Sequence, residues 1–330
     1  MPQQRALVTG IGGQDGSLLA ELLLDKGYDV YGVVRRAVSS YPNIERIRDR
    51  IELIQADLND ELALVRALRA VRPHEVYNLA SVSFVPMSWE QPVLTAELAA
   101  VGATALLEAI REVDGSTRFY QASSSEIFGE PRETPQRETT PLSPLTPYGV
   151  AKAYAHFITR SYRARYGLHA SAGILYNHES PRRTLEFVPR KIAHAAASIK
   201  LGLSGEVWLG DLAAQRDWGY AGDYVRAMWL MLQQDEPDDY IIASGELHTV
   251  EELVRLAFEH VELDWREYVH IDESLKRGAA ELHDLVGDPS KARERLGWEP
   301  EVRFDDLVHL LVEAELERLR SARQEEASSR

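Results

Sequence analysis

Val8-Thr9-Gly10-Ile11-Gly12-Gly13-Gln14-Asp15-Gly16, residues 8–16, leaves a short apolar run at 5–9 and enters a stretch of helical periodicity at 17–26. Gly10, Gly13 and Gly16 set the spacing GxxGxxG. Glycine permits the tight turn, and its missing side chain lets the backbone and the helix N-terminus approach a pyrophosphate. A glycine pattern alone is weak evidence. Its place between a strand and a helix makes it a dinucleotide-binding turn, with Gln14 and Asp15 as further candidate cofactor contacts.

Outward from that turn the alternation continues. Residues 29–34, 51–55, 75–80, 118–122 and 170–175 read as strands, and 60–71, 94–112 and 148–166 as helices. The rhythm predicts a parallel sheet with helices on both faces, an α/β Rossmann-type doubly wound fold. Beyond Asn177 the rhythm loosens: 187–201 and 223–233 are helical, 207–209 is a short strand, and 248 onward mixes helices with short strands. A smaller mixed α/β lobe over the sheet is expected. Residues 1–177 with 216–245 form the expected cofactor domain, and 178–215 with 246–330 the substrate lobe. Residues 313–330 read as a charged helix whose last ten residues fray.

The 330 residues are 45% hydrophobic and 27% charged, ordinary for a soluble globular chain. No cysteine is present, which excludes disulfides, thiolate catalysis and cysteine-ligated metals. The ten histidines are scattered without ligand spacing, so no metal site is expected. The formal net charge of -15 argues against a nucleic-acid footprint but not against a phosphorylated ligand. Residues 182–191 carry Arg182, Arg183, Arg190 and Lys191 against Glu186 alone, a segment suited to a small polyanion or to a plain solvated loop. With no leader and no apolar run of membrane-spanning length, a cytoplasmic protein without membrane partners is expected.

The end of the second strand bears on cofactor choice. An acid there would bind the ribose hydroxyls of NAD; Arg35 and Arg36 stand there instead and suit the 2′-phosphate of NADP. The competing reading is two surface arginines. Asp57, just past the third strand, either accepts from the adenine amino group or caps the following helix. Leu58 and Leu79 are further candidate cofactor contacts.

Tyr148 and Lys152 lie one turn apart on one helix face. A nearby ammonium favours the phenolate and is expected to draw the tyrosine below its usual pKa of ~10. Ser124, at the end of the fifth strand, is placed to hydrogen-bond a hydroxyl being oxidised. Glu126 adds a carboxylate for a second proton transfer, such as abstraction alpha to a new ketone; the alternative is a polar residue at a strand end.

With these motifs the chain resembles the extended short-chain dehydrogenase/reductase family, the NAD-dependent epimerases and dehydratases, and within it the GDP-mannose 4,6-dehydratases. Residues 8–16, 119–129 and 148–152 carry the resemblance, as do Asn177-His178-Glu179-Ser180-Pro181-Arg182-Arg183, Arg216-Asp217-Trp218-Gly219 and Gly222-Asp223-Tyr224-Val225. The resemblance implies three stages on a nucleotide-diphosphate sugar, GDP-mannose first among candidates. Tyr148, aided by Lys152 and Ser124, takes the 4-hydroxyl proton while hydride passes to NADP. Glu126 then removes the C5 proton and assists loss of the C6 hydroxyl as water, and hydride returns to C6. The resemblance also implies that His178 and Arg183 face the cofactor, that Ser83 lies near the hexose, and that Asn177, Lys191, Arg216 and Arg277 contact the nucleotide-sugar. It further implies a homo-oligomer, paired through 94–112 and 148–166, with the loop at 37–41 joining two dimers into a tetramer.

Several positions depart from the family pattern. Ser124 replaces threonine, Val82 a glutamine, Pro189 a threonine and Thr184 a glycine, while Pro86 and Met87 stand beside the sugar. Residues 277–284 differ most, with an extra residue between Arg277 and Glu281. Competing readings are a related nucleotide-sugar epimerase, a UDP-glucuronate decarboxylase, or a catalytically silent NADP-binding regulator.

Overall fold

The computed structural model describes residues 3–35, 41–275 and 284–328, with side chains to 325. Thirteen strands are described: β1 (Arg5–Thr9), β2 (Asp29–Val34), β3 (Ile51–Gln55), β4 (Glu75–Asn78), β5 (Arg118–Ala122), β6 (Ala170–Leu175), β7 (Asn177–Glu179), β8 (Val207–Leu209), β9 (Gln215–Arg216), β10 (Trp218–Tyr220), β11 (Asp239–Ile242), β12 (His248–Thr249) and β13 (Val269–Ile271). The α-helices are α1 (Gln14–Asp25), α2 (Glu61–Val71), α3 (Val85–Glu90), α4 (Pro92–Ala96), α5 (Gly102–Val113), α6 (Pro147–Tyr166), α7 (Val188–Lys200), α8 (Ala221–Gln233), α9 (Val250–His260), α10 (Ser290–Leu296) and α11 (Phe304–Ser328).

Seven strands form one parallel sheet in the order β11-β6-β5-β4-β1-β2-β3. Its central strands are covered on both faces and so are not alternating in burial; every residue of β6 is buried, whereas Glu52 and Gln55 of the edge strand β3 are exposed. One face packs Leu19, Leu23, Met228 and Met231 of α1 and α8 against the sheet. The other packs Leu64, Leu68, Leu106 and Ile110 of α2 and α5. Strand order reverses between β1 and β4, the switch point at whose carboxyl ends an open α/β sheet binds its ligand.

The sequence reading holds for the first six strands to within two residues. It misses β11, a four-residue strand after the helix read at 223–233, and the short pairs β7 with β10 and β9 with β12. It also expects fraying where α11 runs on to Ser328. One reading is corrected: the helical run Pro92–Val113 is long and apolar enough, by length and composition, to cross a membrane. In the fold its Ala99, Ala103, Leu106, Leu107 and Ile110 are buried. A five-residue π-helical turn, Glu97–Val101, interrupts this run.

A second core lies off the sheet, where Ile192, Ala196, Leu253, Phe258, Leu307 and Leu311 of α7, α9 and α11 pack with Val207 and Val269 of the β8–β13 pair. This layer faces the carboxyl ends of the sheet strands and forms the opposite wall of the cavity described next.

Candidate active site

A cavity of about 770 Å³ opens at the switch point, within the range of about 300–1,000 Å³ common for ligand pockets. Its floor is the glycine turn. Gly10 has φ +69°, and a Cβ there would lie 2.9 Å from the Ala80 backbone nitrogen. A Cβ on Gly16 would overlap the Gly10 carbonyl. Both positions therefore require glycine for separate reasons, left-handed backbone at one and close helix-to-turn approach at the other. The Gly13 amide donates to Gly10 O at 2.9 Å and sets the N-terminus of α1 toward the cavity.

The turn is stitched to the strand at 177–179. Asp15 Oδ2 lies 2.9 Å from His178 Nε2, while His178 Nδ1 lies 2.7 Å from Tyr176 O. Both ring nitrogens thus face oxygen acceptors, which suits the imidazolium. Burial opposes charge on both partners, but the pair's attraction wins. His178 is raised above the usual histidine value and Asp15 is held down at about 2. Gln14 Nε2 donates to His178 O at 3.1 Å, and Ser180 Oγ donates to Gln14 Oε1 at 2.9 Å.

Arg35, Asp57, Leu58 and Leu79 line the same end of the cavity. The capping alternative for Asp57 is resolved: Asp60 caps α2, accepting from the Ala63 amide at 3.0 Å, whereas Asp57 Oδ1 accepts from Asn59 N. Arg36 and Arg277, with the loop at 37–41 up to Ser40 and Glu281, lie outside the described residues.

At the opposite end, Thr146 caps α6 through the Gly149 amide at 2.9 Å, and Pro147 occupies its first turn. The helix presents Tyr148 and Lys152, both buried, to the cavity. Ser124 caps a 3-10 turn, Ser125–Ile127, accepting from the Glu126 amide at 3.3 Å. Ser124 is also hydrogen-bonded to the Tyr148 phenol. Ser83, Asn177, Arg183 and Arg216 complete the predicted residues on the wall.

Three expectations are revised by the geometry. Tyr148 is not drawn down by Lys152. Burial pushes the phenol up to about 12, reinforced by Glu126, while Ser124 and Arg183 pull the other way. Lys152 Nζ instead donates to Ala122 O at 3.0 Å and stands 5.6 Å from the Tyr148 ring centroid. Burial also draws the lysine down to about 8, against the attraction of Asp15.

Second, Lys191 is not among the lining residues, and its Nζ donates to Trp208 O at 2.7 Å.

Third, the basic segment is not a free anion patch. Arg182 pairs with Glu21 and Arg190 with Glu315, leaving Arg183 as its cation on the cavity wall. Arg183 lies flat over Phe187, Cζ to centroid 3.4 Å, with Nε 3.3 Å from the buried Glu179.

The sequence reading missed Glu179, Tyr41, Phe84 and Phe187 as lining residues. Tyr41 packs on Gly12, where a Cβ would come within 2.7 Å of its ring, and Phe84 meets Phe187 edge to face at 5.4 Å. No local pattern announces these contacts, because each joins segments distant in sequence.

Residues 7–311 match the family model described as GDP-mannose 4,6 dehydratase. GDP-mannose 4,6 dehydratase 2 of Arabidopsis thaliana is 50% identical, covering 96% of this chain and 88% of its own. The human GDP-mannose 4,6 dehydratase is 44% identical over 97% and 93%. Among solved structures, UDP-glucose 4-epimerase of Thermotoga maritima with UDP-glucose superposes with a TM-score of 0.84 at 26% identity, covering 96% of this chain and all of its own. A dTDP-glucose 4,6-dehydratase of Streptomyces venezuelae with NAD bound gives 0.83 at 25%, covering 95% and 97%.

Proposed function

The chain belongs to the GDP-mannose 4,6-dehydratase family, and from that premise we infer that it is a lyase converting GDP-mannose to GDP-4-keto-6-deoxy-mannose with NADP as resident cofactor. The observation that carries the reading is Glu126, set by the Ser124-capped turn on the same wall as Tyr148 and opposite the glycine cradle. The cradle fits a dinucleotide: Gly10 and Gly16 leave no room for side chains, and α1 points its free amides into the cavity. Arg35, exposed at the end of β2 where NAD enzymes carry an acid, supports NADP. Arg183 and the Asp15–His178 pair would hold the cofactor from the other side.

When bound, the nicotinamide supplies a hydride acceptor at C4 and a donor at C6. The protein's own groups move the protons. A phenol at about 12 is almost wholly protonated at neutral pH. Tyr148 therefore acts through its minor phenolate form, which takes the C4 hydroxyl proton while the Ser124 hydroxyl donates a hydrogen bond to it. Glu126 removes the C5 proton once C4 is a ketone and protonates the C6 hydroxyl as it leaves as water. The two residues are coupled through charge. While Glu126 is ionised it raises Tyr148, and once it holds the C5 proton that penalty is gone. Lys152, kept dry on Ala122 O, holds its charge behind the tyrosine.

The reading includes a division of labour, with 1–177 and 216–245 holding the cofactor and the remainder the nucleotide-sugar. Ser83, Asn177 and Arg216, on the cavity wall of the cofactor part, are its substrate contacts from that side, with Arg277 as a further candidate from the other. It also includes a cytoplasmic homo-oligomer of two or four chains. Val93, Val101, Val150, Tyr154 and Phe157, exposed on the adjoining helices α4 to α6, support pairing through that face. The test is incubation with GDP-mannose in deuterated water. The expected product has lost one water, carries solvent deuterium at C5 and has the C4 hydrogen at C6; Glu126→Gln abolishes it. No water loss with NADP bound would move the assignment to another nucleotide-sugar.

A further inference from the structure

A reaction that stores a hydride and returns it fails if the reduced cofactor leaves midway, so what holds the cofactor matters as much as what binds it. Resting on the proposed function, we propose that Arg182 is a positioning residue that fastens segment 180–183 across the cofactor cradle by pairing with Glu21, and so retains the nucleotide between the two hydride transfers.

Arg182 itself points away from the cavity. Its Nη2 meets both Glu21 carboxylate oxygens at 2.7 Å, and its Nη1 donates to Ser17 Oγ at 3.0 Å. Glu21 and Ser17 stand on α1, the helix whose N-terminus forms the cradle. The neighbouring residues are tied to the same helix and turn. Ser180 bonds Gln14, and Asn43 Nδ2 bridges Gly12 O at 3.2 Å and Arg182 O at 3.4 Å. Arg183, next in sequence, is the cation that enters the cavity.

The segment is held from the lobe as well. Arg190 donates to Arg183 O and Arg318 Nη2 to Pro181 O at 2.9 Å. Both arginines rest on Glu315, which is buried and also accepts from His194 Nδ1 at 2.9 Å. With the lobe anchor independent, loss of the Arg182–Glu21 pair loosens the cradle side alone, leaving the Ser180–Gln14 bond and the Asn43 bridge to hold it. The segment then pivots instead of unfolding, and the backbone that carries Arg183 shifts against the cradle.

The experiment loads wild type, Arg182→Ala, Glu21→Gln and the swapped pair Arg182→Glu/Glu21→Arg with NADPH. Excess NADP is then mixed in rapidly, and the loss of nicotinamide fluorescence is followed. A charge-assisted pair in which one guanidinium nitrogen bridges both carboxylate oxygens predicts release about 10- to 100-fold faster in each single variant, partly restored in the swap, with circular dichroism unchanged. During turnover the single variants should also shed reduced cofactor into the filtrate, where wild type sheds none. Release within twofold of wild type in Glu21→Gln overturns the inference. That variant decides the matter even if Arg182→Ala does not fold, because Glu21 lies outside the proposed catalytic and binding groups. A wild type that dehydrates GDP-mannose yet binds no NADPH overturns the cofactor reading instead.

Discussion

Gly149 follows the candidate base Tyr148 in the first turn of α6, and alanine is the natural test because helix propensity alone favours it by about 1 kcal/mol. A Cβ at Gly149 would stand 2.5 Å from the Glu126 carbonyl oxygen and 3.2 Å from both Pro144 Cβ and Thr146 Oγ1. Carbon–oxygen contacts ordinarily begin near 3.3 Å, so the turn bearing Glu126 must retreat by about 0.8 Å. The obstacle is backbone, which yields only with its neighbours, so overpacking of about 1–3 kcal/mol offsets the propensity gain and leaves a net loss of about 0–2 kcal/mol. The kinetic effect is larger, because a misplacement near 1 Å costs about 100-fold in rate. Gly149→Ala should therefore melt within a few degrees of wild type while kcat for water loss from GDP-mannose falls about 30- to 100-fold. Gly205→Ala, where a Cβ meets nothing within 4 Å, is the control and should be neutral in both assays. A Gly149→Ala enzyme with kcat within threefold of wild type would refute the claim that the spacing between α6 and the Glu126 turn sets the chemistry.

Three further outcomes follow from the charges. Glu126→Gln should oxidise C4 without eliminating water, so that reduced cofactor accumulates to one equivalent at 340 nm; removing its charge should also move the pH limb of that half-reaction downward, since Glu126 raises Tyr148. Lys152 is buried and lowered from 10.5 to about 8, so the unfolded chain holds the extra proton and stability climbs as pH rises from about 8 to 10.5. Lys152→Met should abolish turnover yet raise stability at pH 7 by about 1 kcal/mol, the relief of about 3 kcal/mol being offset by the unpaired Ala122 carbonyl, as read by chemical denaturation. The Asp15–His178 pair contributes fully between the ordinary carboxylate and histidine values, about pH 4 to 6.5. It is lost as pH falls through about 2, and again as pH rises through the raised His178 value. Melting temperature should fall on raising pH past that value, and His178→Gln should flatten this dependence; an unchanged slope would count against the pair.

The fold was legible because its signals are local. Apolar runs of five or six residues at β1, β3, β5 and β6, each followed by a helical period, with β2 between the first two, determine a parallel sheet without knowledge of any long-range contact. The same holds for Gly10, Gly13 and Gly16, whose spacing states a backbone requirement. Tyr148 and Lys152 were legible as a pair on one helix face, but their electrostatics were not. Proximity along a helix says that two groups can interact; burial decides their pKa values. Here burial raises the phenol and lowers the ammonium together, the opposite of a simple exchange of charge.

The segment at 182–191 shows why a count of charges misleads. Four cations against one acid read as a polyanion site, yet the acids that engage them come from elsewhere: Glu21 from α1 and Glu315 from α11, 161 and 125 residues away. Net charge in a window measures ligand affinity only when the window's partners are also in it. Arg183 keeps its place on the cavity wall for a reason visible only in three dimensions. Glu179, four residues before it, is buried against it, and Phe187, four residues after, lies under its guanidinium. A residue gripped on two sides is aimed, and aim separates a cofactor contact from a basic residue that merely lies close by.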